Sequence, residues 1–333
     1  MTAYIKQISY YLPERVVTNE ELVTQFPEWS VDKIASKIGV NKRHVAAEKE
    51  TAGDMAVEAA ERLFTECDIR RDEIDFVIFC TQSPDYFLPT SACLVQHKLG
   101  LRTHIGAFDF NLGCSGYIYG LAIAKGLISG NIATNVLLLT AETYSKYLHP
   151  RDKGNRTIFG DAATATVVST DGFAEIGEFS LGTDGGGADN LIVRSGASRC
   201  ATAQNDLHDD ENGNPVSSDY LYMNGSEIFS FTQENVPNVV RDTLKRNNLE
   251  QDDVNLFVFH QANKYMLNFL RRKLKIEEER FFICMSETGN TVSNTIPIAL
   301  CEARTKDSLH GNILLSGFGV GYSWGGTILK ITD

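Results

Sequence analysis

One pattern occurs twice along this chain, and it limits the fold more than any other feature. An amphipathic stretch, Thr51 to Cys67, places Met55, Ala56, Ala59, Ala60, Leu63 and Phe64 at helical spacing. It runs through Arg71-Asp-Glu-Ile-Asp75 into the apolar run Phe76-Val-Ile-Phe79. Phe231 to Asn247 likewise leads through Glu250-Gln-Asp-Asp-Val-Asn255 into Leu256-Phe-Val-Phe259. The correspondence continues downstream. A glycine-rich helix after Cys114 feeds Asn135-Val-Leu-Leu-Leu-Thr140, and a helix over Thr295 to Thr305 feeds Asn312-Ile-Leu-Leu-Ser316. Strands without polar alternation are apolar on both faces, so each belongs in a sheet covered on both sides. The pattern predicts a duplicated α/β unit. Parallel strands with right-handed crossovers bring their carboxyl ends to one side, where ligands bind. The loops after Phe79, Asn111, Phe259 and Ser316 are therefore predicted to converge.

The remaining elements fit around this frame. Ile5 to Tyr11 reads as a first strand, Ser91 to Leu99 as a helix and Gly106 to Asn111 as the strand before Cys114. Thr164 to Ser169 and Phe173 to Leu181 read as sheet edges. Trp29 to Val45 is irregular and rich in Lys and Arg. Gly182 to Ser218 is a polar surface excursion interrupted by the apolar triplet Leu191-Ile192-Val193.

Composition excludes several classes. With 333 residues, 43% of them hydrophobic, the chain can fill the core of two packed halves. Seven cysteines without CxxC or Cys/His spacing argue against a disulfide framework or a zinc site and fit a reducing cytoplasm. A net charge of -12 disfavours nucleic acid. The amino terminus lacks a basic segment followed by an apolar signal core, and no stretch approaches membrane-span length, so neither export nor a membrane is expected.

The chemistry-bearing residues fall in the loops that the duplication singles out. Cys114 stands between a strand and a helix, where free N–H groups and the positive helix end favour a thiolate. The buried strand Leu256 to Phe259 ends in His260-Gln-Ala-Asn263, and histidine is suited to proton transfer or to hydrogen bonding an oxyanion near neutral pH. Glu287-Thr-Gly-Asn-Thr-Val-Ser-Asn294 opens the next helix, and Asn290 within it offers two N–H donors without charge. Ser316-Gly-Phe-Gly-Val-Gly-Tyr-Ser-Trp-Gly-Gly326 reads as a glycine-rich loop whose amides suit an oxyanion hole with that of Cys114.

These residues carry a resemblance along essentially the whole length. Cys114 within Asn111-Leu-Gly-Cys-Ser-Gly116, His260 in His-Gln-Ala-Asn, Asn290 in Gly-Asn-Thr, the turn Phe159-Gly-Asp161 and the Gly317-Phe-Gly-Val-Gly321 loop before Trp324 resemble the β-ketoacyl-acyl-carrier-protein synthase III family of the thiolase superfamily. The resemblance implies an α/β thiolase-like fold of duplicated βαβαβαββ halves in α-β-α-β-α layers. Residues 1–170 would carry the cysteine, and 171–333 the histidine and asparagine. It implies acylation of Cys114 by acyl-CoA, with the amides of Cys114 and Val320 holding the oxyanion. Decarboxylation of malonyl-acyl-carrier protein at His260 and Asn290 and carbon–carbon bond formation would follow, with no metal or other cofactor.

The resemblance further places Trp29, Lys37, Lys153, Gly154, Gly225, Phe229 and Asn263 along a channel for CoA or phosphopantetheine. Lys264, Arg271 and Arg272 form a carrier-protein patch, and a homodimer has Phe87 and Leu88 in a loop that limits acyl length. Lysines stand where arginine is usual, which alters the phosphate contacts. Three other readings stay open at this stage: transfer of the acyl group to another acceptor or a specialised condensation, a Cys/His/Asn hydrolase, and a non-catalytic binding protein.

Overall fold

The computed structural model describes residues 1–332. Nine strands form one continuous sheet: β1 (Tyr4–Tyr11), β2 (Phe76–Cys80), β3 (Gly106–Phe110), β4 (Val136–Glu142), β5 (Ala162–Ser169), β6 (Ala174–Thr183), β7 (Val254–Phe259), β8 (Asn312–Gly319) and β9 (Ser323–Ile331). Six main helices connect them: α1 (Ala52–Glu66), α2 (Ser91–Lys98), α3 (Gly116–Ser129), α4 (Gly225–Arg246), α5 (Lys264–Lys273) and α6 (Thr295–Thr305).

The sheet order is β7-β8-β9-β6-β1-β5-β4-β2-β3. On one side of the β1–β6 junction β2 runs parallel to β3 and β4, and β5 and β1 complete the half antiparallel. On the other side β7 runs parallel to β8, and β9 and β6 follow antiparallel. The counterpart of β3 shrinks to a single parallel bridge, Phe257 to Phe281. Helix α5 precedes it as α2 precedes β3, a match that the sequence pattern did not reveal because so little of the strand survives.

The layers follow from alternation along the buried strands. Ile78 and Leu138, with Leu256 and Val258, face an inner layer containing α3 and α6. Val77, Phe79, Leu137 and Leu139 face α1 and α2, whereas Phe257 and Phe259 face α4 and α5. Period-two side chains that find apolar partners on both faces explain why these strands read as unbroken hydrophobic runs. Helix α1 is fixed at its start by a capping box, with Thr51 accepting from the Asp54 N–H and Asp54 from the Thr51 N–H.

Several expectations change. The strands read as sheet edges, around Thr164–Ser169 and Phe173–Leu181, are β5 and β6 at the centre of the sheet. Their small residues and Thr hydroxyls suit the interior because neighbouring strands and side chains satisfy them, as in the Thr140–Thr164 contact at 2.6 Å. The irregular segment contains a short helix, Val31–Lys37, and a strand, Lys42–Val45, paired with Arg15–Thr18. Helix α4 begins at Gly225, six residues before its apolar periodicity, because Asn224 caps it by accepting from the Glu227 N–H. The stretch Ser316–Gly326 is mostly the β8–β9 hairpin with its tip at Val320 to Tyr322.

Candidate active site

The hairpin's glycines explain how Cys114 is held. A Cβ on Gly317 would lie 2.9 Å from the Cys114 carbonyl oxygen and 3.0 Å from the Ser115 Cα; one on Gly319 would lie 2.9 Å from the Cys114 Cβ and 3.0 Å from its Sγ. β8 therefore passes against the start of α3 with no room for a side chain. The Gly116 N–H closes the turn onto the Gly113 carbonyl at 2.8 Å, and the Ser115 and Ser323 hydroxyls meet at 2.7 Å.

Cys114 is buried, and the backbone amides of Cys114 and Val320 lie near enough to favour its ionised form. Burial opposes the thiolate that the helix start is expected to favour. Burial, reinforced by the nearby Glu142 carboxyl, pushes the thiol up to about 12 against the pull of those two amides. Glu142 is itself fully buried, accepting from the Gln82 N–H at 3.0 Å and the Ser83 hydroxyl at 3.0 Å. Because the thiolate fraction of a raised thiol grows with every pH unit, alkylation of Cys114 by a small neutral reagent is expected to rise about tenfold per unit from about pH 7 to about pH 9. Mass spectrometry of the Cys114 peptide checks this, and a plateau within that range contradicts it.

His260 follows β7 directly, and its N–H continues the ladder to the Ser316 carbonyl at 2.8 Å. Its ring lies edge-on to Phe318 and is 2% exposed, and burial pushes its pKa down to about 3, so the imidazole is neutral. Asn290 is held from both halves. Its backbone N–H donates to the Ile158 carbonyl at 2.9 Å, and its carbonyl accepts from the Gly160 N–H at 3.0 Å. Its side-chain Oδ1 accepts from the Val292 N–H at 2.9 Å, and Nδ2 lies 3.4 Å from the Ala262 carbonyl, two residues beyond His260. Val292 packs in one apolar cluster with Cys114, which brings the three loops together. The Phe159-Gly-Asp161 turn is anchored by Asp161, whose carboxylate accepts from the N–H groups of Ala46 at 2.8 Å and Ser145 at 2.9 Å.

Beside Cys114 lies a cavity of about 850 Å³. Gln82, Tyr144, Leu191, Val193, Leu221 and Val320 line its inner part, and Tyr86 and Phe87 its rim. The Tyr144 hydroxyl donates to Gln82 Oε1 at 2.5 Å, and Gln82 Nε2 donates to Asn111 at 2.9 Å. Among these residues only Val320 and Phe87 are assigned to the site from the sequence. The apolar triplet Leu191-Ile192-Val193 in a polar segment was the available signal for this wall. Phe87 and Leu88 project outward, 82% and 83% exposed.

The other carried-over positions lie at exposed or partly buried sites. Lys33 sits over the Trp29 ring at 4.6 Å, and Lys153 pairs with Glu28 at 3.0 Å. The Gly154 carbonyl accepts from Thr157 at 2.8 Å, while Gly225 is exposed at the start of α4. Asn263 caps α5, accepting from the Met266 N–H at 2.8 Å. Phe229 packs on Phe269 and Tyr265 beside an open groove of about 700 Å³ bounded by Lys37, Lys264, Arg272 and Lys273. Arg271 does not belong to this face. Its side chain is 16% exposed, pairs with Glu278 at 3.2 Å and reaches the Ile276 carbonyl at 3.4 Å, because it lies on the side of α5 turned away from the groove.

Among the described residues no helix is long and apolar enough to cross a membrane, and no cluster of His, Cys, Asp and Glu has metal-binding geometry. Two family profiles match, described as 3-oxoacyl-[acyl-carrier-protein] synthase III over residues 108–185 and as its C-terminal region over residues 244–331. The chain is 35% identical over 324 residues to the β-ketoacyl-[acyl-carrier-protein] synthase III of Clostridium perfringens, covering 96% of this chain and 97% of that one. It is similar to a crystal structure of a 3-oxoacyl-(acyl-carrier-protein) synthase III at 48% identity, covering 99% and 100% of the two chains with a TM-score of 0.97. A 3-oxoacyl-(acyl-carrier protein) synthase from Burkholderia xenovorans superposes with a TM-score of 0.90 at 36% identity, covering 99% and 94%. With fold, loop convergence and full-length likeness in agreement, the chain belongs to the 3-oxoacyl-acyl-carrier-protein synthase III family, condensing enzymes of fatty acid biosynthesis that act on acyl-CoA and malonyl-acyl-carrier protein and need no cofactor.

Proposed function

We propose that Cys114, His260 and Asn290 carry out the condensation in two stages. The Cys114 sulfur attacks the thioester carbonyl of acyl-CoA; the carbon–sulfur bond to CoA breaks, and the thiol proton leaves with CoA. The N–H groups of Cys114 and Val320 stabilise the tetrahedral oxyanion. Malonyl on the carrier protein then loses carbon dioxide, and the electron pair of the broken carbon–carbon bond becomes an enolate. Neutral donors at His260 and Asn290 hold its oxygen without placing a negative charge beside it. The enolate carbon attacks the acyl-cysteine, a carbon–carbon bond forms, and the released thiolate takes up a proton.

The observation that carries this reading is a buried sulfur near the backbone amides of Cys114 and Val320, packed with Tyr144, Leu191 and Leu221, which line a cavity large enough for an acyl chain. Incubation with a panel of acyl-CoAs, followed by malonyl-carrier protein, tests it. The expected result is an acyl mass on Cys114, absent in Cys114→Ala, and a 3-oxoacyl product. Free acid as the only product assigns a hydrolase instead.

The division at residues 170 and 171 is part of the same reading, as the join of two copies of one unit. So is a cytoplasmic setting, supported by seven free cysteines. The exposed Phe87 and Leu88 are best accounted for by a second copy of this chain, each loop capping the partner's acyl cavity. Phe87→Asp is expected to shift sedimentation from dimer to monomer; an unchanged dimer removes the loop from the interface.

Lys37, Lys264 and Arg272 form no ion pair among the described residues and suit an acidic carrier protein at the groove. Paired reversal at Lys264 and Arg272 is expected to raise KM for malonyl-carrier protein about tenfold or more and spare acylation by acyl-CoA. Reversal at Arg271 should act through stability instead, since its charge is already used within the fold. Equal KM effects from both variants would discard this placement of the patch.

A further inference from the structure

The proposed donor role of His260 raises a question of proton placement. A neutral imidazole has one ring proton, and only the tautomer with that proton on Nε2 leaves Nδ1 as an acceptor and presents Nε2–H to a substrate oxygen. The tautomer is fixed by whatever Nδ1 meets. Thr295 Oγ1 lies 2.7 Å from His260 Nδ1, and the Val292 carbonyl also faces the ring.

Thr295 opens α6 and is 3% exposed, so no solvent competes for this contact. Its hydroxyl also lies 3.0 Å from the Val292 carbonyl, but that carbonyl already accepts from the Thr295 backbone N–H. Of the hydroxyl's two acceptors the ring nitrogen is the nearer, at 2.7 Å against 3.0 Å for a carbonyl that the backbone already serves. Val292 has φ +58, a left-handed conformation that a β-branched residue rarely adopts. In that conformation its N–H reaches Asn290 Oδ1 at 2.9 Å and its carbonyl faces Thr295. Backbone strain of this kind persists where surrounding contacts demand it and clusters at functional sites. Here one turn aims Asn290 and supports the partner of His260 together.

We propose that Thr295 is a positioning residue for the condensation, donating its hydroxyl proton to His260 Nδ1 and so keeping the ring proton on Nε2, where it meets the malonyl thioester oxygen. The inference rests on the assignment of His260 given above. Thr295 touches no reacting atom, so acylation of Cys114 is independent of it.

Thr295→Val keeps the branched shape and removes the hydroxyl, while Thr295→Ser restores it. The expected result for Thr295→Val is a loss of about 10- to 100-fold in condensation with malonyl-carrier protein at normal Cys114 acylation, the range for a buried group left without its partner. Thr295→Ser should recover most of it. ¹⁵N NMR of histidine-labelled protein, with the His260 signals assigned from a His260→Ala spectrum, should show the Nε2–H tautomer in the wild type and a mixed or reversed population in Thr295→Val. An Nδ1–H tautomer in the wild type, or unchanged condensation in a folded Thr295→Val enzyme, overturns the proposal. If Thr295→Val fails to acylate through misfolding, the wild-type tautomer decides the matter. Unimpaired condensation in His260→Ala would instead overturn the assignment of His260 itself.

Discussion

An Asn290→Asp enzyme is expected to acylate Cys114 normally and to condense about a thousandfold more slowly. The substitution preserves shape, and the remaining oxygen can still accept from the Val292 N–H, although the long contact from Nδ2 to the Ala262 carbonyl is lost. What changes is the atom now at Nδ2, which would be turned from a neutral donor into part of an anion. A carboxylate about 4 Å from a developing enolate costs about 4 kcal/mol at an effective dielectric constant near 20, which is about three powers of ten in rate. The acylation stage does not develop charge at this position. Intact-mass measurement of the acyl-enzyme beside the rate of product formation separates the two stages. Since the site is 5% exposed, burial will raise the new carboxyl's pKa, and the deficit should shrink as pH falls. A matching loss in acylation, or a deficit that grows on acidification, would contradict the assignment.

Gly317→Ala should be nearly as damaging, by a steric route. Its new methyl would meet the Cys114 carbonyl oxygen at 2.9 Å and the Ser115 Cα at 3.0 Å. Both are backbone atoms at the start of α3 and cannot swing aside as a side chain would. Overpacking of this kind costs about 1–3 kcal/mol of stability, and a displaced nucleophile loses up to about 100-fold in rate. Gly126→Ala on the same helix is the control. Nothing lies within 4 Å of that position, so it should be neutral or stabilise the helix by up to about 1 kcal/mol. Thermal unfolding and the acylation rate of the two variants make the comparison. Equal behaviour would mean that the hairpin does not set the position of Cys114.

The duplicated architecture was legible because burial on both faces leaves a strong mark. Phe76 to Phe79 and Leu256 to Phe259, each apolar throughout and following an amphipathic helix, read as strands covered on both faces. The same logic misplaced β5 and β6 at the edges. Ala, Thr and Ser at alternate positions look solvent-tolerant, yet Thr140, Thr164 and Asn294 satisfy one another inside the protein. Local patterning cannot record hydrogen bonds between residues more than a hundred positions apart.

The site divides in the same way. Cys114, His260 and Asn290 stood out because each terminates a strand or opens a helix, and a functional side chain in a parallel α/β fold has few other places to be. Their ionisation could not be read in this manner. A helix start argues for a thiolate, whereas enclosure by Tyr144, Val292 and Glu142 pushes the thiol up to about 12. Arg271 shows the same limit at the surface, indistinguishable from Arg272 in sequence but turned towards Glu278 in the fold.

By itself the sequence determined the paired α/β units and singled out the loops and groups proposed here as reactive, because periodicity and strand-end position are local properties of a chain. Tertiary structure alone decided which faces are dry, which cations are free and which nitrogen of His260 faces Thr295. Desolvation and hydrogen-bond geometry depend on what the rest of the molecule brings within a few ångströms, and no reading of neighbours along the chain contains that information.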